Sequence, residues 1–228
     1  MPRVIHRLWL GPRPMPGRFR GYAARWADLN PGWAVHDWSW HDLPEDLANG
    51  DVLDDLRRRC TRGDSVELAT ALADVICYDL IARHGGIYVN CDIEPVHPLP
   101  AAMVSGEPWA SREDAVHVVN AAFGGEPGAT PWQLITGELL PARYWRLRRA
   151  GEQEMNQLTG PHLLGELLAV SPGCLRIFSE QAFCPLHFSQ VPYGGTADGL
   201  WSADTLPAAT IGVHHWDHRR NGRSNIVS

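Results

Sequence analysis

The chain contains no lysine, and arginine supplies all 20 of its basic residues. It also lacks any excess of positive charge, because 26 acidic residues give a formal net charge of −6. Such a surface does not, as a whole, attract nucleic acid or anionic lipid. No apolar run approaches the roughly eighteen residues of a membrane-spanning helix, so the sequence excludes a membrane span.

Cysteine is scarce, and its five copies are odd in number and scattered along the chain. This pattern favours reduced thiols over a disulfide framework. The opening MPRVIHRLWLG has neither a long apolar stretch nor a small-residue cleavage site. We therefore expect no signal peptide, and a cytoplasmic protein that can also lie peripherally at a membrane face.

The 228 residues can bury a real core and predict one domain, and their composition, 44% hydrophobic and 20% charged, is that of a globular protein. The pattern predicts strands over 3–10 and 33–39, helices over 18–29, 43–59 and 64–84, and a strand after Gly86. We place the start of the third helix at Asp64 and Ser65. This alternation predicts an α/β fold with a mostly parallel, Rossmann-like sheet flanked by helices. Further on, the pattern predicts a strand over 116–125 and helices over 143–158 and 161–170.

Asp74 lies in the middle of the longest predicted helix, on a mostly apolar face. An ionised carboxylate there costs several kcal/mol unless it is paired or hydrogen-bonded. Asp74 either caps a nearby loop or is held out of bulk water to bind the hydroxyls of a ligand. Asp79 differs, because Arg83 follows at i+4 and predicts a solvated surface pair.

The segment GGIYVNCDIEP, residues 85–95, places a polar cluster directly after a short apolar strand. Ligands of parallel sheets bind at the carboxyl ends of strands. Two carboxylates at such an end would indicate a metal site, but Asn90 supplies an amide where the first would stand, and only Asp92 is acidic. Three interpretations remain: a metal site with one substitution, a site that has lost its metal, or a turn.

These residues resemble the DXD-containing retaining glycosyltransferases related to capsular polysaccharide enzymes and yeast initiating mannosyltransferases, and more distantly the clostridial glucosylating toxins. The opening PRVIHRLWLG and the segment ADVICYDLIARHGGIYVNCD are similar to two motifs of that family. NAAFGG, TGPHLL and IGVHHW resemble later landmarks in the same order. The resemblance implies a single GT-A domain over 1–228, with a donor-binding half of about 1–100 and an acceptor-side and closing segment of about 101–228.

The resemblance also implies roles for individual residues. Catalytic roles fall on Asp74, Asn90 and Asn120. Donor-binding roles fall on Leu8, Trp9 (the plate that stacks on the base), Asp74 (which holds the sugar hydroxyls), Tyr88, Asn90 and Trp216. Asp92 and His215 are implied as metal ligands, and His214, His215 and Trp216 as part of a segment that closes over the diphosphate.

The implied reaction moves a hexose from a nucleoside-diphosphate sugar, with UDP or GDP as carrier, to an acceptor hydroxyl with retention. A divalent cation, Mn²⁺ or Mg²⁺, would neutralise the leaving diphosphate. Two positions depart from the family pattern: Cys77 replaces an arginine, and Asn90 replaces the first carboxylate. We expect Asn90 to weaken metal binding without abolishing it, because an amide oxygen still suits a hard cation.

Two rival functions remain open. A sugar-nucleotide-binding protein with decayed or metal-independent activity would explain Cys77 and Asn90. A nucleotidyltransferase would need a glycine-rich, basic phosphate loop, whereas residues 11–18 contain too many prolines for one. The acceptor stays open between a glycan, a lipid-linked glycan and a modified nucleic acid; the basic clusters 143–149 and 218–223 are either solvated surface or contacts for an anionic acceptor.

Overall fold

The computed structural model describes residues 1–10, 14–60, 66–190 and 203–217. The predicted helix start at Asp64 and Ser65, the first part of the proline-rich turn, and the basic cluster 218–223 lie outside these ranges. The strands are β1 (Val4–Leu8), β2 (Ala34–Trp38), β3 (Gly86–Val89), β4 (Ile93–Pro95), β5 (Trp109–Arg112), β6 (Val118–Gly125), β7 (Arg176–Phe178) and β8 (Gly212–His214). The helices are α1 (Gly17–Leu29), α2 (Gly50–Cys60), α3 (Val66–His84), α4 (Thr130–Leu134), α5 (Leu140–Arg149), α6 (Glu152–Thr159) and α7 (Pro161–Val170), with a π-helical turn, Ile135–Leu139, between α4 and α5.

Six strands form the central sheet in the order β2-β1-β3-β6-β5-β7. The pairs β1–β2, β1–β3 and β5–β7 are parallel, and β6 runs antiparallel to both of its neighbours. The predicted mostly parallel α/β sheet flanked by helices is confirmed. The reversed strand β6 was not predicted, and it matters for the site because its first residues lie at the edge where β1 and β3 end.

Helix α3 packs against the sheet and ends at the glycine pair that the sequence places before β3. Gly85 and Gly86 both adopt positive φ, +63° and +87°. A Cβ at Gly86 would lie 2.6 Å from the carbonyl oxygen of Val4 in β1. Only glycine therefore allows the chain to turn out of α3 and pair directly beside β1.

Three local predictions need correction. The helix predicted over 43–59 begins only at Gly50, and the helix predicted over 143–158 is two helices, because Ala150 adopts an extended conformation with ψ of 139°. The Asp79–Arg83 pair exists at 2.8 Å, but Asp79 is buried, not solvated, and also accepts a hydrogen bond from the backbone N–H of Ala48. The loop before α2 covers this carboxylate, which helix periodicity alone does not reveal.

The C-terminal part of the described chain returns to the sheet edge through a small second sheet. Strand β8 pairs antiparallel with β4, and His214 lies opposite Ile93. This pairing brings residues 212–217 next to Asp92. None of the described helices combines the length and apolar character that crossing a membrane requires.

His6 on β1 is buried and fixed in one tautomer. Its Nε2 lies 3.0 Å from the carbonyl oxygen of Gly85, and its Nδ1 accepts a hydrogen bond from the indole N–H of Trp38 at 2.9 Å. Because a carbonyl can only accept, Nε2 carries the proton and the ring is neutral. Burial lowers the pKa of His6 from 6.5 to about 4, with a smaller contribution in the same direction from His84 and His36.

His6 is therefore expected to weaken the protein in acid. Between pH 6.5 and pH 4 the unfolded chain protonates this histidine and the folded chain does not, so stability falls as the pH falls. The difference in pKa corresponds to roughly 3 kcal/mol over this range. Chemical denaturation at a series of pH values from 7 to 4 measures the free energy of unfolding of both proteins. The value for His6→Gln, relative to that of the parent chain, should increase by about this amount as the pH falls. Parallel pH profiles for the two proteins would contradict it.

Candidate active site

The candidate site lies where β1 and β3 end and β6 begins. Leu8 and Val89 are the last residues of the two parallel strands, and Asn120 lies near the start of β6. Because β6 runs antiparallel to β3, its first residues lie at the edge of the sheet where β3 ends. The backbone N–H of Asn90 donates to the carbonyl of Ala121 at 2.8 Å. Asn90 therefore lies beside the residue that directly follows Asn120.

Asp74 on α3 points into this edge and is held by two side chains. Its Oδ1 accepts a hydrogen bond from Nδ2 of Asn120 at 2.7 Å, and the hydroxyl of Thr159 lies 2.9 Å from its Oδ2. The side chain is 7% exposed. Burial raises the pKa of Asp74 from 3.8 to about 6, and the hydrogen bonds from Thr159 and Asn120 counteract part of that increase. Both partners belong to regular secondary structure, Asn120 to β6 and Thr159 to the end of α6.

Cys77 lies where the resemblance implies an arginine, and no cation offsets the burial of Asp74 among the described residues. Its thiol donates to the backbone carbonyl of Asp74 at 3.1 Å, one turn back on α3. Burial, followed by the nearby Asp74, raises the pKa of Cys77 well above its ordinary value, so the thiol is neutral. An arginine here would hold Asp74 ionised, whereas cysteine leaves the charge of the carboxylate uncompensated.

Asp92 forms a second cluster with the returning C-terminal segment. Nε2 of His214 lies 3.2 Å from its Oδ1, and the backbone N–H of Asp217 donates to its Oδ2 at 2.8 Å. Nδ2 of Asn90 is 3.5 Å from the same imidazole nitrogen. Arg18 on α1 forms an ion pair with Asp217. One carboxylate thus holds the returning segment against the strand end.

His215, implied as a metal ligand, faces away from Asp92. Its Nε2 lies 3.0 Å from Oε2 of Glu94 and 3.3 Å from the hydroxyl of Tyr22, whose ring stacks on the imidazole at 5.6 Å. Consecutive residues of an extended chain project to opposite sides. His214 is the histidine that reaches Asp92, and the doublet by itself could not distinguish the two.

The implied donor-binding residues occupy different environments. Trp9 is half-buried just beyond β1 and packs edge-on against Phe19, with ring centroids 5.8 Å apart, whereas Leu8 is buried. Tyr88 is buried between the two clusters: burial raises its pKa well above 10, with further contributions that include the charges of Asp74 and Asp92. Trp216 is buried at a positive φ of 56°, and its indole N–H donates to the carbonyl of Leu186.

Asp92 offers a carboxylate oxygen, the donor that a hard divalent cation prefers, and His214 adds an imidazole nitrogen beside it. Nε2 of His214 and Oδ1 of Asp92, 3.2 Å apart, are near the ~3 Å that separates adjacent ligands around an octahedral ion with bonds of about 2.1 Å. Within the described ranges, no three side chains of the His, Cys, Asp and Glu types converge as a complete metal site. The residues therefore fit a cation that phosphate oxygens and water also coordinate.

Thr159 is the site residue that reasoning from sequence missed. It lies on α6, 85 positions after Asp74, yet its hydroxyl lies within hydrogen-bond distance of that carboxylate. The available signal was the TGPHLL segment, which the resemblance marks only as a landmark. Nothing in the local pattern indicates that a threonine at a helix end faces Asp74.

Residues 16–115 match the model of a family described as "Glycosyltransferase sugar-binding region containing DXD motif". The matched segment covers less than half of the chain. It includes Asp74, Asn90 and Asp92, whereas Asn120, Thr159 and His214 lie outside it. The matched range contains the triplet Asn90-Cys91-Asp92, which the resemblance places at the position of the DXD motif. No curated protein matches the chain.

Among solved structures, the chain is similar to the PaToxG glycosyltransferase, with a TM-score of 0.55 and 14% identity over 75% of this chain and 69% of that one. The UDP-bound glycosyltransferase domain from the YGT toxin follows with a TM-score of 0.49 and 9% identity, over 78% of this chain and 79% of that one. A glycosyltransferase involved in the glycosylation of the major capsid of PBCV-1 has a TM-score of 0.41 and 9% identity, over 92% and 93%. The first of these identifies the fold as that of the GT-A glycosyltransferases.

Proposed function

We propose that this protein is a glycosyltransferase that moves a hexose from a nucleoside-diphosphate sugar to an acceptor hydroxyl with retention. The observation that carries the proposal is Asp74, a buried carboxylate fixed on both oxygens at the carboxyl edge of the sheet. Burying such a group costs several kcal/mol, and Asp74, unlike Asp79 with its partner Arg83, has no cationic partner among the described residues, which favours a role in binding. It lies inside the segment that matches the glycosyltransferase family.

In this proposal Asp74 and Asn120 bind the hydroxyls of the donor sugar. A carboxylate offers about four acceptor positions, and the two hydrogen bonds from Thr159 and Asn120 occupy only part of them. Its exclusion from water strengthens each hydrogen bond that it accepts. Trp9, half-buried at the end of β1, offers a ring for the base of the nucleotide.

Asp92, His214 and Asn90 bind the diphosphate side of the donor. Mn²⁺ or Mg²⁺, held there by Asp92 and His214, would neutralise the negative charge of the diphosphate. The ion pair between Arg18 and Asp217 holds the returning segment against α1, so residues 212–217 cover this end of the site. Asn90 contributes a neutral side chain where the family has a carboxylate, which lowers the affinity for the cation.

The acceptor then attacks the anomeric carbon on the same face from which the diphosphate departs, which retains the configuration. The acceptor oxygen bonds to the anomeric carbon as the bond to the diphosphate breaks, and the diphosphate oxygen takes the proton of the acceptor. The thiol of Cys77 is not available as a nucleophile, because burial raises its pKa well above the ordinary range.

A second candidate is a sugar-nucleotide-binding protein whose activity is decayed or independent of metal. Two observations favour it: Asn90 removes one charge from the cation site, and with Cys77 in place of an arginine Asp74 has no cationic neighbour in the part of the chain that the structure describes. Against it, the buried Asp74 keeps one hydrogen bond on each of its oxygens, and the carboxylate of Asp92 lies beside His214.

Thermal unfolding with UDP, GDP and their sugar conjugates, each with Mn²⁺ or with EDTA, tests these alternatives. A ligand at about 100 times its Kd adds roughly 2.7 kcal/mol of stability, which raises the unfolding midpoint by several degrees. We expect one nucleotide to give this shift and EDTA to reduce it, and we expect slow hydrolysis of the matching sugar conjugate. A shift that survives EDTA without hydrolysis supports the binding protein, and no shift with any conjugate contradicts both functions.

A further inference from the structure

The hydroxyl of Thr159 has a single hydrogen and lies within hydrogen-bond distance of two acceptors. Thr159 is the last residue of α6 and is completely buried. Its Oγ lies 2.9 Å from Oδ2 of Asp74 and 3.0 Å from the carbonyl oxygen of Met155, one turn back on the helix. A hydroxyl has a single O–H and can donate fully to only one of these atoms at a time.

The two arrangements of this hydroxyl correspond to the two protonation states of Asp74. When Asp74 is ionised, Thr159 donates to Oδ2. When Asp74 is protonated, its own O–H donates to the oxygen of Thr159, and Thr159 donates to Met155, the bond that helical threonines commonly form. Asn120 donates to Oδ1 in both states. Each state therefore leaves both oxygens of the carboxyl group hydrogen-bonded without any movement of heavy atoms.

We propose that Thr159 is a positioning residue for Asp74, whose hydroxyl holds the carboxyl group in one orientation in both of its protonation states. The benefit to a donor sugar rests on the proposed function: the carboxylate that receives the sugar hydroxyls is already oriented before the donor arrives. The hydrogen bond itself requires no donor, and it can be tested in the free protein.

The remaining groups that face Asp74 do not compete for its proton. On α3 these are Cys77 and Tyr78, and on β3 Tyr88; burial raises the pKa of all three well above the ordinary values, so all are neutral at pH 7. Arg143 on α5, whose charge affects the pKa of Tyr78, forms an ion pair with Glu166. Only Thr159 and Asn120 are hydrogen-bonded to the carboxyl group of Asp74 among the described residues.

The backbone around Thr159 is fixed in place. The hydroxyl of Tyr78 donates to the carbonyl of Thr159 at 3.1 Å. Gly160 then turns the chain into α7, which begins at Pro161. Substitutions at Thr159 should therefore change the hydroxyl without moving the helix end.

The test compares the titration of Asp74 in the parent chain with that in Thr159→Val and Thr159→Ser. Valine matches threonine in shape but has no hydroxyl, whereas serine keeps it. Hydrogen bonds to a charged group are stronger than those to a neutral group, so the loss of the hydroxyl destabilises the ionised form more. We expect the titration midpoint of Asp74, followed by NMR of its carboxyl carbon and assigned with Asp74→Asn, to rise by roughly half a unit to one unit in Thr159→Val. It should stay close to the parent value in Thr159→Ser.

Thr136→Val is the matched control. Thr136 is also a buried helical threonine that donates to the carbonyl one turn back, that of Trp132 at 3.0 Å, but it does not contact Asp74. An unchanged midpoint in Thr159→Val, or an equal rise in Thr136→Val, overturns the proposal. Thr159→Ala, which adds no atoms to the core, gives the same comparison if the valine variant does not fold.

Donor turnover provides the second measurement. In Thr159→Val the acid limb of the pH profile of kcat/KM should shift to higher pH by the same amount as the NMR midpoint. KM for the donor should rise about tenfold while kcat changes less. Thr159→Ser should restore both values. A protein with no turnover in any form would refute the proposed function and still leave the carboxyl titration to decide the role of Thr159.

Discussion

Asp74→Asn is expected to lower kcat/KM for the donor about 100-fold, which corresponds to the loss of roughly 2.7 kcal/mol of binding in the transition state. The amide keeps the shape of the side chain: its oxygen accepts from Asn120, and its N–H donates to Thr159, which in turn donates to Met155. It mimics the protonated carboxyl and cannot provide the ionised acceptor for the sugar hydroxyls. Steady-state hydrolysis and transfer assays measure the loss.

The same substitution is expected to leave the protein at least as stable at pH 7. Burial raises the pKa of Asp74 from 3.8 to about 6, so the folded chain holds its proton to a higher pH than the unfolded chain. Stability therefore falls by roughly 3 kcal/mol as the pH rises from about 4 to above 6, and Asp74→Asn removes this decrease. His6 has the opposite slope over an overlapping range, so each effect must be read as a difference between the parent chain and its variant.

Asp79→Asn is the matched control for this prediction. Asp79 lies on the same helix and is also buried, but it contacts Arg83 and the backbone of Ala48 instead of the site. We expect its substitution to lower stability while leaving kcat/KM within a factor of two or so, because an ion pair is lost and no ligand contact changes. If Asp74→Asn kept full activity, or if the two variants lost activity equally, Asp74 would not bind the donor.

Asp92→Ala should lower turnover by at least about 100-fold and weaken the response to Mn²⁺. It removes the carboxylate that holds His214 and the backbone N–H of Asp217, so both the cation site and the returning segment lose their anchor. The Mn²⁺ concentration for half-maximal turnover should rise at least tenfold. Limited proteolysis should cut the C-terminal segment faster than in the parent chain.

Glu94→Gln controls for a general effect of removing an acidic residue from this strand. Glu94 lies two residues after Asp92, and its side chain contacts His215 and Arg25 on the other side of the chain. This variant should keep the Mn²⁺ response of the parent chain. Equal Mn²⁺ responses in Asp92→Ala and the parent chain would exclude Asp92 as the metal ligand, and the second candidate function would then be preferred.

The elements around the sheet edge were predictable because their signals are local. β-Branched and aromatic residues marked β1, alternating apolar residues marked β2, helical periodicity marked α3, and the glycine pair marked the turn into β3. The break at Ala150 and the reversed direction of β6 were not predictable. The first depends on how α5 and α6 pack, and strand direction depends on the path of the whole chain.

The site shows the same division between local and long-range information. The burial of Asp74 followed from its place on an apolar helix face, and the place of Asp92 directly after a strand followed from the local pattern. The same local rules predicted a solvated Asp79, and this prediction was wrong because the loop that covers the side chain comes from a distant part of the sequence. The choice between His214 and His215 depended on the register between β8 and β4.

By itself, the sequence determined the α/β fold, the strand end that carries Asn90 and Asp92, and the buried carboxylate at Asp74, because each depends on neighbours within one or two turns of chain. Only the tertiary structure decided what those groups contact: Thr159 from α6, Asn120 from the reversed strand, and His214 from the returning segment. Thr159 and Asn120 lie 85 and 46 positions from Asp74, and His214 lies 122 positions from Asp92. Side-chain periodicity describes the environment of one element, whereas a hydrogen bond between elements depends on how the whole chain packs.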